Sequence, residues 1–532
     1  MKPNLSALVC VTAMILLPAA STVFGANAGT FVVSFLPGEI SYNPLTSYTT
    51  SEAQIYSGLY EGLVGYDPFS LDPIPATASR WEISQDGRRY RFFIRPEARY
   101  SNGDPVVAAD FREAWLLLLD PDTNAAYASL LDVIAGARAY RTGESTDPQS
   151  VGVIAVSERV LEVRLEQRAT HFLRILCHHS FVAVHPSVRG SGEWGDPLSI
   201  PMNGPYTVAS AGEDALGLKA NPYYWDQRRE RYDEISITFE ADAQAVTRAF
   251  NNGEIDWVRG ASDLQSVART DDIVINPLYA TTYYQLSATR PPFDDPRVRR
   301  AVALLLPWDR IRSEELWYVP TANLVPQIPA YPQPDGITVR DTKEALRLLD
   351  DAGYPNGEGL PPIEITIPTP LRADRVAQLM VESWEAALDT AVSVKVVPYP
   401  QYFTVVDAGD FMVSTISWIG DFADPLTFLD LWVSGSNLNK SGYSNADYDA
   451  LIRRAMGMTG SARYEVLAEA EEMLLADGVV LPIRHSPSIN LIDLNMVDGW
   501  YPNPLDIHPF KFIRPADASP VPNVAVRPGR QL

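Results

Sequence analysis

The sequence predicts a large mixed α/β protein made of several domains. Three observations carry that expectation. The chain is 532 residues long, and at roughly 100–200 residues per domain this is about three domains. Stretches of alternating apolar residues are interleaved with stretches at helical spacing, and no fixed-period repeat runs through them. Apolar residues make up 46 % and charged residues 20 %, enough to bury sizeable cores and to exclude a largely disordered chain. The charge narrows the partners: 43 Lys and Arg face 66 Asp and Glu, a net charge of −23. Binding to nucleic-acid backbones or anionic membrane surfaces needs clustered cations, and no nucleic-acid partner is expected.

The first residues read as an export signal. Met1-Lys2 is followed by an apolar run over residues 5–17, then Pro18 and small residues. Ala26-Asn27-Ala28 fits an A-x-A cleavage pattern, which places the mature start near Gly29. The run is shorter than the roughly 20 residues of a spanning helix; the alternative is an uncleaved anchor that tethers the protein. Val9 stands before Cys10 where lipid attachment wants a small residue. With the signal removed, Cys177 is the one cysteine left, so no internal disulfide is expected and large cores must hold the fold. An exported protein of the bacterial periplasm follows.

Residues 30–36 alternate Phe31, Val33 and Phe35 on one face and predict a strand. Residues 55–63 carry helical spacing, 89–94 a strand, and Ser101-Asn102-Gly103-Asp104 a turn. Residues 106–119 predict a helix and 151–165 a pair of strands. Asp295 is placed to cap a helix whose first residue is Pro296. Asp341 starts another with Glu344 three residues on, and Gly353 suits a left-handed C-cap. Ile363, Ile365 and Ile367 form a strand, followed by a helix over 373–388 and a strand over 392–397, a βαβ-like order. A helix over 464–475 and a strand over 479–483 close the series. The proline-rich tail, 515–532, is expected to be disordered.

Catalytic motifs are missing. There is no G-x-S-x-G, H-E-x-x-H, glycine-rich phosphate loop or C-x-x-C. His178 and His179 are adjacent, and neighbours on a regular element point apart, so they read as structural or surface residues rather than a metal pair. An enzyme is not expected, nor any cofactor.

Seven segments, taken in order, resemble the bacterial solute-binding proteins of oligopeptide, dipeptide and nickel uptake. They are Ile55-Tyr56-Ser57-Gly58-Leu59-Tyr60-Glu61-Gly62-Leu63, Trp81-Glu82-Ile83-Ser84-Gln85-Asp86-Gly87, Arg99-Tyr100-Ser101-Asn102-Gly103 and Ala109-Asp110-Phe111. Then come Asn203-Gly204-Pro205-Tyr206 with Asn221-Pro222-Tyr223-Tyr224-Trp225, Pro292-Phe293-Asp294-Asp295-Pro296-Arg297-Val298-Arg299, and Trp418-Ile419-Gly420-Asp421-Phe422-Ala423-Asp424-Pro425. The resemblance implies a periplasmic-binding-protein-like α/β fold, in which two lobes close on a ligand around a hinge beside an extra domain. Lobe I would comprise 29–66, 185–283 and 487–514, lobe II 67–184 and lobe III 284–486.

It also implies a ligand site. A binder of many peptides must hold what peptides share: an ammonium, a carboxylate and main-chain amides. Asp421 matches the family aspartate that takes the ammonium, and a charge-assisted bond suits that task. Trp418 would wall the first ligand residue, the backbone of Ser417 and Ile419 would pair with the peptide as an added strand, and Tyr127 would face the same end. Glu39 and Asn439 lie in segments that line the cleft in relatives. Val413-Ser414-Thr415-Ile416 departs from those relatives that carry an arginine there for the ligand carboxylate. The implied function is peptide capture for an ABC importer, as a monomer docking on a membrane permease; the competing reading is another solute, such as a metal chelate or a saccharide, on the same fold.

Overall fold

The structure, a computed structural model, describes residues 29–516 apart from residues 39 and 48 and the segments 190–193, 227–231, 314–316 and 370–373. The expected signal over residues 1–28 lies outside the described residues. One long sheet organises the chain. Its strands run in the order Val392–Pro398, Ile363–Thr369, Val413–Ile419, Ile273–Leu286, Val480–Ile492, Trp257–Val258, Thr30–Phe35, Glu234–Phe239, Ala215–Ala220, Tyr206–Ala211. Thr30–Phe35 lies between two parallel neighbours, so both its faces are covered: Phe31, Val33 and Phe35 enter one core and Val32 another. At the far edge Ile363–Thr369 and Val392–Pro398 pair in parallel around helix Asp374–Ala387, the expected βαβ order.

Two strands cross the whole molecule. Ile273–Leu286 and Val480–Ile492 pair antiparallel at both ends, but the ladder breaks after Pro277↔Pro487 and resumes at Thr281↔His485. Facing prolines leave the ladder without N–H donors, and the extra residues on one strand form a bulge. Beyond the break, a separate core is drawn only from residues 284–483, with Trp384, Ile365 and Ile367 wholly buried. A second sheet, Ala78–Ile83, Arg89–Ile94, Val160–Arg164, Val153–Ser157 in spatial order, lies apart from the long one. Helix Ala108–Leu119 belongs with it and buries Trp115, whose Nε1–H donates to the Phe181 carbonyl at 3.2 Å.

The caps stand where the sequence places them. Asp295 accepts from the Arg297 N–H at 2.8 Å and Asp341 from the Glu344 N–H at 2.9 Å, and Gly353 adopts φ +91° after its helix. Elsewhere boundaries move. The helix expected at 55–63 is Thr50–Leu59, because Thr49 and Glu52 form the reciprocal start T-x-x-E: Thr49 Oγ1 donates to Glu52 at 2.7 Å and accepts from its N–H at 3.3 Å. The strand expected at 479–483 continues to Ile492 because its partner strand is equally long. Of the tail expected to be disordered, Pro515 pairs with Val497 and the Ala516 N–H donates to the Met496 carbonyl at 2.9 Å; residues 517–532 lie outside the described residues.

Candidate functional site

Between these bodies lies a cavity of about 1130 Å³. Strand Val413–Ile419 forms one wall. Along its full length it pairs with Ile273–Leu286, Trp418 opposite Thr281 and Ser417 opposite Thr282. Its other edge is taken by Ile363–Thr369 only at Val413 and Ser414. At Thr415 the Tyr402 hydroxyl replaces a strand: it donates to the Thr415 carbonyl at 2.7 Å and accepts from the Thr415 N–H at 2.9 Å. Backbone groups alternate sides with period two, so Ser417 and Ile419 point the same way as Thr415, toward an edge that no strand of the sheet covers. That is the geometry for adding a strand.

The strand ends in a tight corner. At Gly420 a Cβ would lie 2.7 Å from the Tyr279 ring and 2.8 Å from Thr427 Cγ2; only glycine fits. Trp418 is buried, with Nε1–H donating to the Thr427 carbonyl at 3.2 Å. Asp421 follows the corner and is 8 % exposed. Its N–H donates to Thr427 Oγ1 at 2.8 Å, and Thr427 Oγ1 donates to its Oδ2 at 3.3 Å. The Tyr127 hydroxyl hydrogen-bonds its carboxylate, and the Tyr66 hydroxyl donates to its carbonyl at 2.7 Å. His178 Nε2 stands 3.7 Å from Oδ1, but burial holds this imidazole well below its usual pKa, with His179 adding to the effect. The neighbour is therefore neutral. Burial pushes the Asp421 carboxyl up to about 7, against the pull of Tyr127 and Thr427. Two hydroxyls, of Tyr127 and Thr427, and a neutral imidazole meet this carboxylate; no Lys or Arg ion pair reaches it among the described residues.

Other carboxylates in the wall are differently served. Glu61 meets Lys511 Nζ at 3.1 Å together with Trp225 Nε1 and Thr77 Oγ1. Asp506 meets Arg259 Nε at 3.0 Å, and that charge with the hydrogen bonds of His508 and Asn490 overrides burial and draws its carboxyl far below the usual range. Glu52 is wrapped by hydroxyls and the Ser41 N–H. The remaining wall cation is Arg484, whose guanidinium lies 4.4 Å from the Tyr318 ring centroid.

Asp421, Trp418, Ser417, Ile419 and Tyr127 all line this one cavity. Glu39 lies outside the described residues. Asn439 does not line it: its Nδ2 donates to the Tyr443 carbonyl at 2.7 Å, and its Oδ1 accepts from the Ser441 hydroxyl and the Tyr443 N–H. It knots its own loop. The sequence reading missed His178, taken as structural or surface, which lies in the wall with its ring 4.1 Å from that of Tyr127. It also missed Tyr66, 355 residues from Asp421 in sequence. Neither carries a local signal. Thr427 does, as a hydroxyl at the first turn after Asp424-Pro425. Among the described residues, no group of three or more His, Cys, Asp or Glu is placed to hold a metal.

The chain matches the sequence model of the bacterial extracellular solute-binding proteins, family 5, over residues 72–440. It belongs to that family. It is 27 % identical to the dipeptide-binding protein DppE of Bacillus subtilis, covering 85 % of this chain and 86 % of that one. It is 28 % identical to a probable deoxycholate-binding periplasmic protein, YgiS of Escherichia coli, covering 88 % and 90 %. The fold is that of the oligopeptide-binding type. The Escherichia coli murein tripeptide binding protein MppA superposes with a TM-score of 0.83 at 24 % identity, over 92 % of this chain and 99 % of that one. The unliganded open form of MppA gives 0.62 over 92 % and 98 %, at 25 % identity. The arrangement of this chain therefore departs from the open form. Family members are extracellular solute binders, and no helix among the described residues is long and apolar enough to cross a membrane.

Proposed function

We propose that the chain is the substrate-binding component of an ABC importer, capturing peptides in the cleft and delivering them to a membrane permease. Relatives of 27 % and 28 % identity are named for a dipeptide and for deoxycholate, so identity does not choose the ligand. Asp421 does. A buried carboxylate held by hydroxyls beside a neutral histidine calls for a cation from outside, and a peptide ammonium supplies one together with hydrogen bonds. A bile acid brings no such group. The uncovered edge at Ser417 and Ile419 adds main-chain pairing common to all peptides, Trp418 gives the first ligand residue an apolar wall, and a roomy cavity admits side chains with bridging water.

The broken ladder at Pro277 and Pro487 supports hinge strands. The separate core of residues 284–483 supports a lobe III over 284–486, and the four-stranded sheet supports a lobe II over 67–184. Lobe I takes 29–66, 185–283 and 487–514. A ligand touching Asp421 from one side and Tyr127 from the other favours the closed form, which the permease reads. The protein acts as a monomer in the periplasm after export through residues 1–28. Native mass spectrometry of freshly purified protein tests the reading: a ladder of co-purified peptide masses is expected. One fixed non-peptide mass would instead assign a dedicated solute.

A further inference from the structure

A second cavity, about 560 Å³, shares no lining residue with the cleft. One side is built from Leu426–Leu429, Asp430–Trp432 and helix Ala446–Met456, the other from Ala128–Val133 and Phe172–Ile175. Leu130, Val133, Ile175, Phe422, Leu426 and Ile452 make its walls apolar. Two polar groups are set into them. His171 is 2 % exposed, its ring stacked 6.2 Å from that of Phe422, and neither ring nitrogen has a hydrogen-bond partner among the described residues. Burial, more than the neighbouring Arg463 and Arg174, lowers its pKa to about 4, so at neutral pH it offers one N–H donor and one acceptor nitrogen.

The second group is Asp430, whose carboxylate receives no hydrogen bond or ion pair from the described residues. Burial pushes it up to about 7 and the like charge of Asp132 adds to this, while Arg141 and Arg138 pull it back. The other acids here are engaged: Asp132 is held by Arg141 at 2.6 and 2.9 Å, Asp449 accepts from the Ser434 N–H at 2.9 Å and Glu166 from the Gly136 N–H at 2.8 Å. The cations of the lining, Arg138 and Arg453, are exposed at the rim. The interior is thus apolar, acidic and furnished with a buried acceptor.

We propose that this cavity binds a small organic amine with a hydrocarbon body, its ammonium donating to Asp430 while His171 lines the same cavity. Such an occupant relieves the Asp132–Asp430 repulsion and covers the apolar walls. It also touches both sides of a contact that Ser129–Ser436 at 3.2 Å and Arg141–Asn437 at 2.7 Å already bridge, and so favours the arrangement in which those sides meet.

Calorimetry with benzylamine tests the site. It is run on Asp421→Asn, which removes the cleft carboxylate, and on Asp421→Asn/Asp430→Asn. The first is expected to bind one benzylamine; the second binds at least tenfold more weakly. Benzyl alcohol, the same body without the charge, binds the first at least tenfold more weakly than benzylamine. A crystal soaked with benzylamine is expected to show its nitrogen within hydrogen-bond distance of Asp430. Should the double variant misfold by thermal melting, Asp421→Asn/Asp430→Ser takes its place with the same expected loss. Equal binding by the variants overturns the proposal. So does electron density with benzylamine elsewhere or water alone beside Asp430, or binding at crystal concentration only, without a calorimetric signal. Every protein titrated lacks the cleft carboxylate, so failure of the peptide reading leaves these outcomes unchanged.

Discussion

Asp421 and Asp424 stand three residues apart in one loop, are 8 % and 6 % exposed, and do opposite work. Asp424 is clamped by Arg463 through two parallel bonds of 2.7 and 2.8 Å, with the guanidinium equally buried. Its charge is answered inside the protein, which fixes the loop against helix Gly460–Ala476. Among the described residues, Asp421 is answered by hydroxyls and a neutral imidazole, with no Lys or Arg. The difference teaches that burial alone does not mark a binding acid. An internal counter-charge makes a carboxylate structural; its absence leaves one poised for a ligand.

Breaking the pair at Asp424 should have the largest effect. Asp424→Asn leaves Arg463 buried and uncompensated, a loss of about 3–5 kcal/mol, read as a lower midpoint in urea unfolding. Gly420→Ala, between the two regions, drives a methyl into Tyr279 and Thr427 and costs about 1–3 kcal/mol; it should weaken peptide binding too, because the corner carries Asp421. Asp421→Asn should show the reverse pattern. Peptide affinity falls at least tenfold, or about 1.4 kcal/mol, in calorimetry, while thermal melting of the free protein stays or rises. N-acetylating the peptide should reproduce that loss on the unaltered protein and add nothing on the variant. Equal affinity for acetylated and free peptides would remove Asp421 from the site.

The smallest effect sharpens the comparison through pH. Burial raises the folded-state Asp421 carboxyl to about 7 from an unfolded value of about 3.9. Its contribution to stability is therefore full below about pH 4 and lost as pH rises through about 7; Asp430 and Glu471, also pushed to about 7 by burial, add to the same trend. Peptide binding needs the ionised form, so affinity should rise with pH through about 7. It should fall again where the peptide amine loses its proton, near about pH 8. Asp421→Asn should flatten the rising limb. A rising limb that survives in the variant would assign the titration to another group.

Much of this was legible because it is local. Period-two alternation at Ile363, Ile365 and Ile367, the caps at Asp295 and Asp341 and the glycine at 353 are set by a few adjacent residues, and the structure has each in place. The resemblance in Trp418-Ile419-Gly420-Asp421 reached the site for the same reason: strand, corner and acid are contiguous. The rest was not legible. His178 was set aside because adjacent histidines diverge on a regular element, yet it caps a 3₁₀ turn and stands beside Asp421 in the cavity wall. Asn439 carried the polar character of a cleft residue, but its donors and acceptors close on its own loop.

Composition and periodicity thus determined the α/β class and the helix starts at Asp295 and Asp341, and the resemblance pointed to the strand that precedes Asp421, since each depends on interactions within a few residues. Only the tertiary structure decided which buried acids are neutralised. Whether Arg463 reaches Asp424, Lys511 reaches Glu61 and Arg259 reaches Asp506 while none reaches Asp421 depends on segments joined by packing alone. Charge in a low-dielectric interior is governed by distances of a few ångströms, and sequence spacing does not encode them.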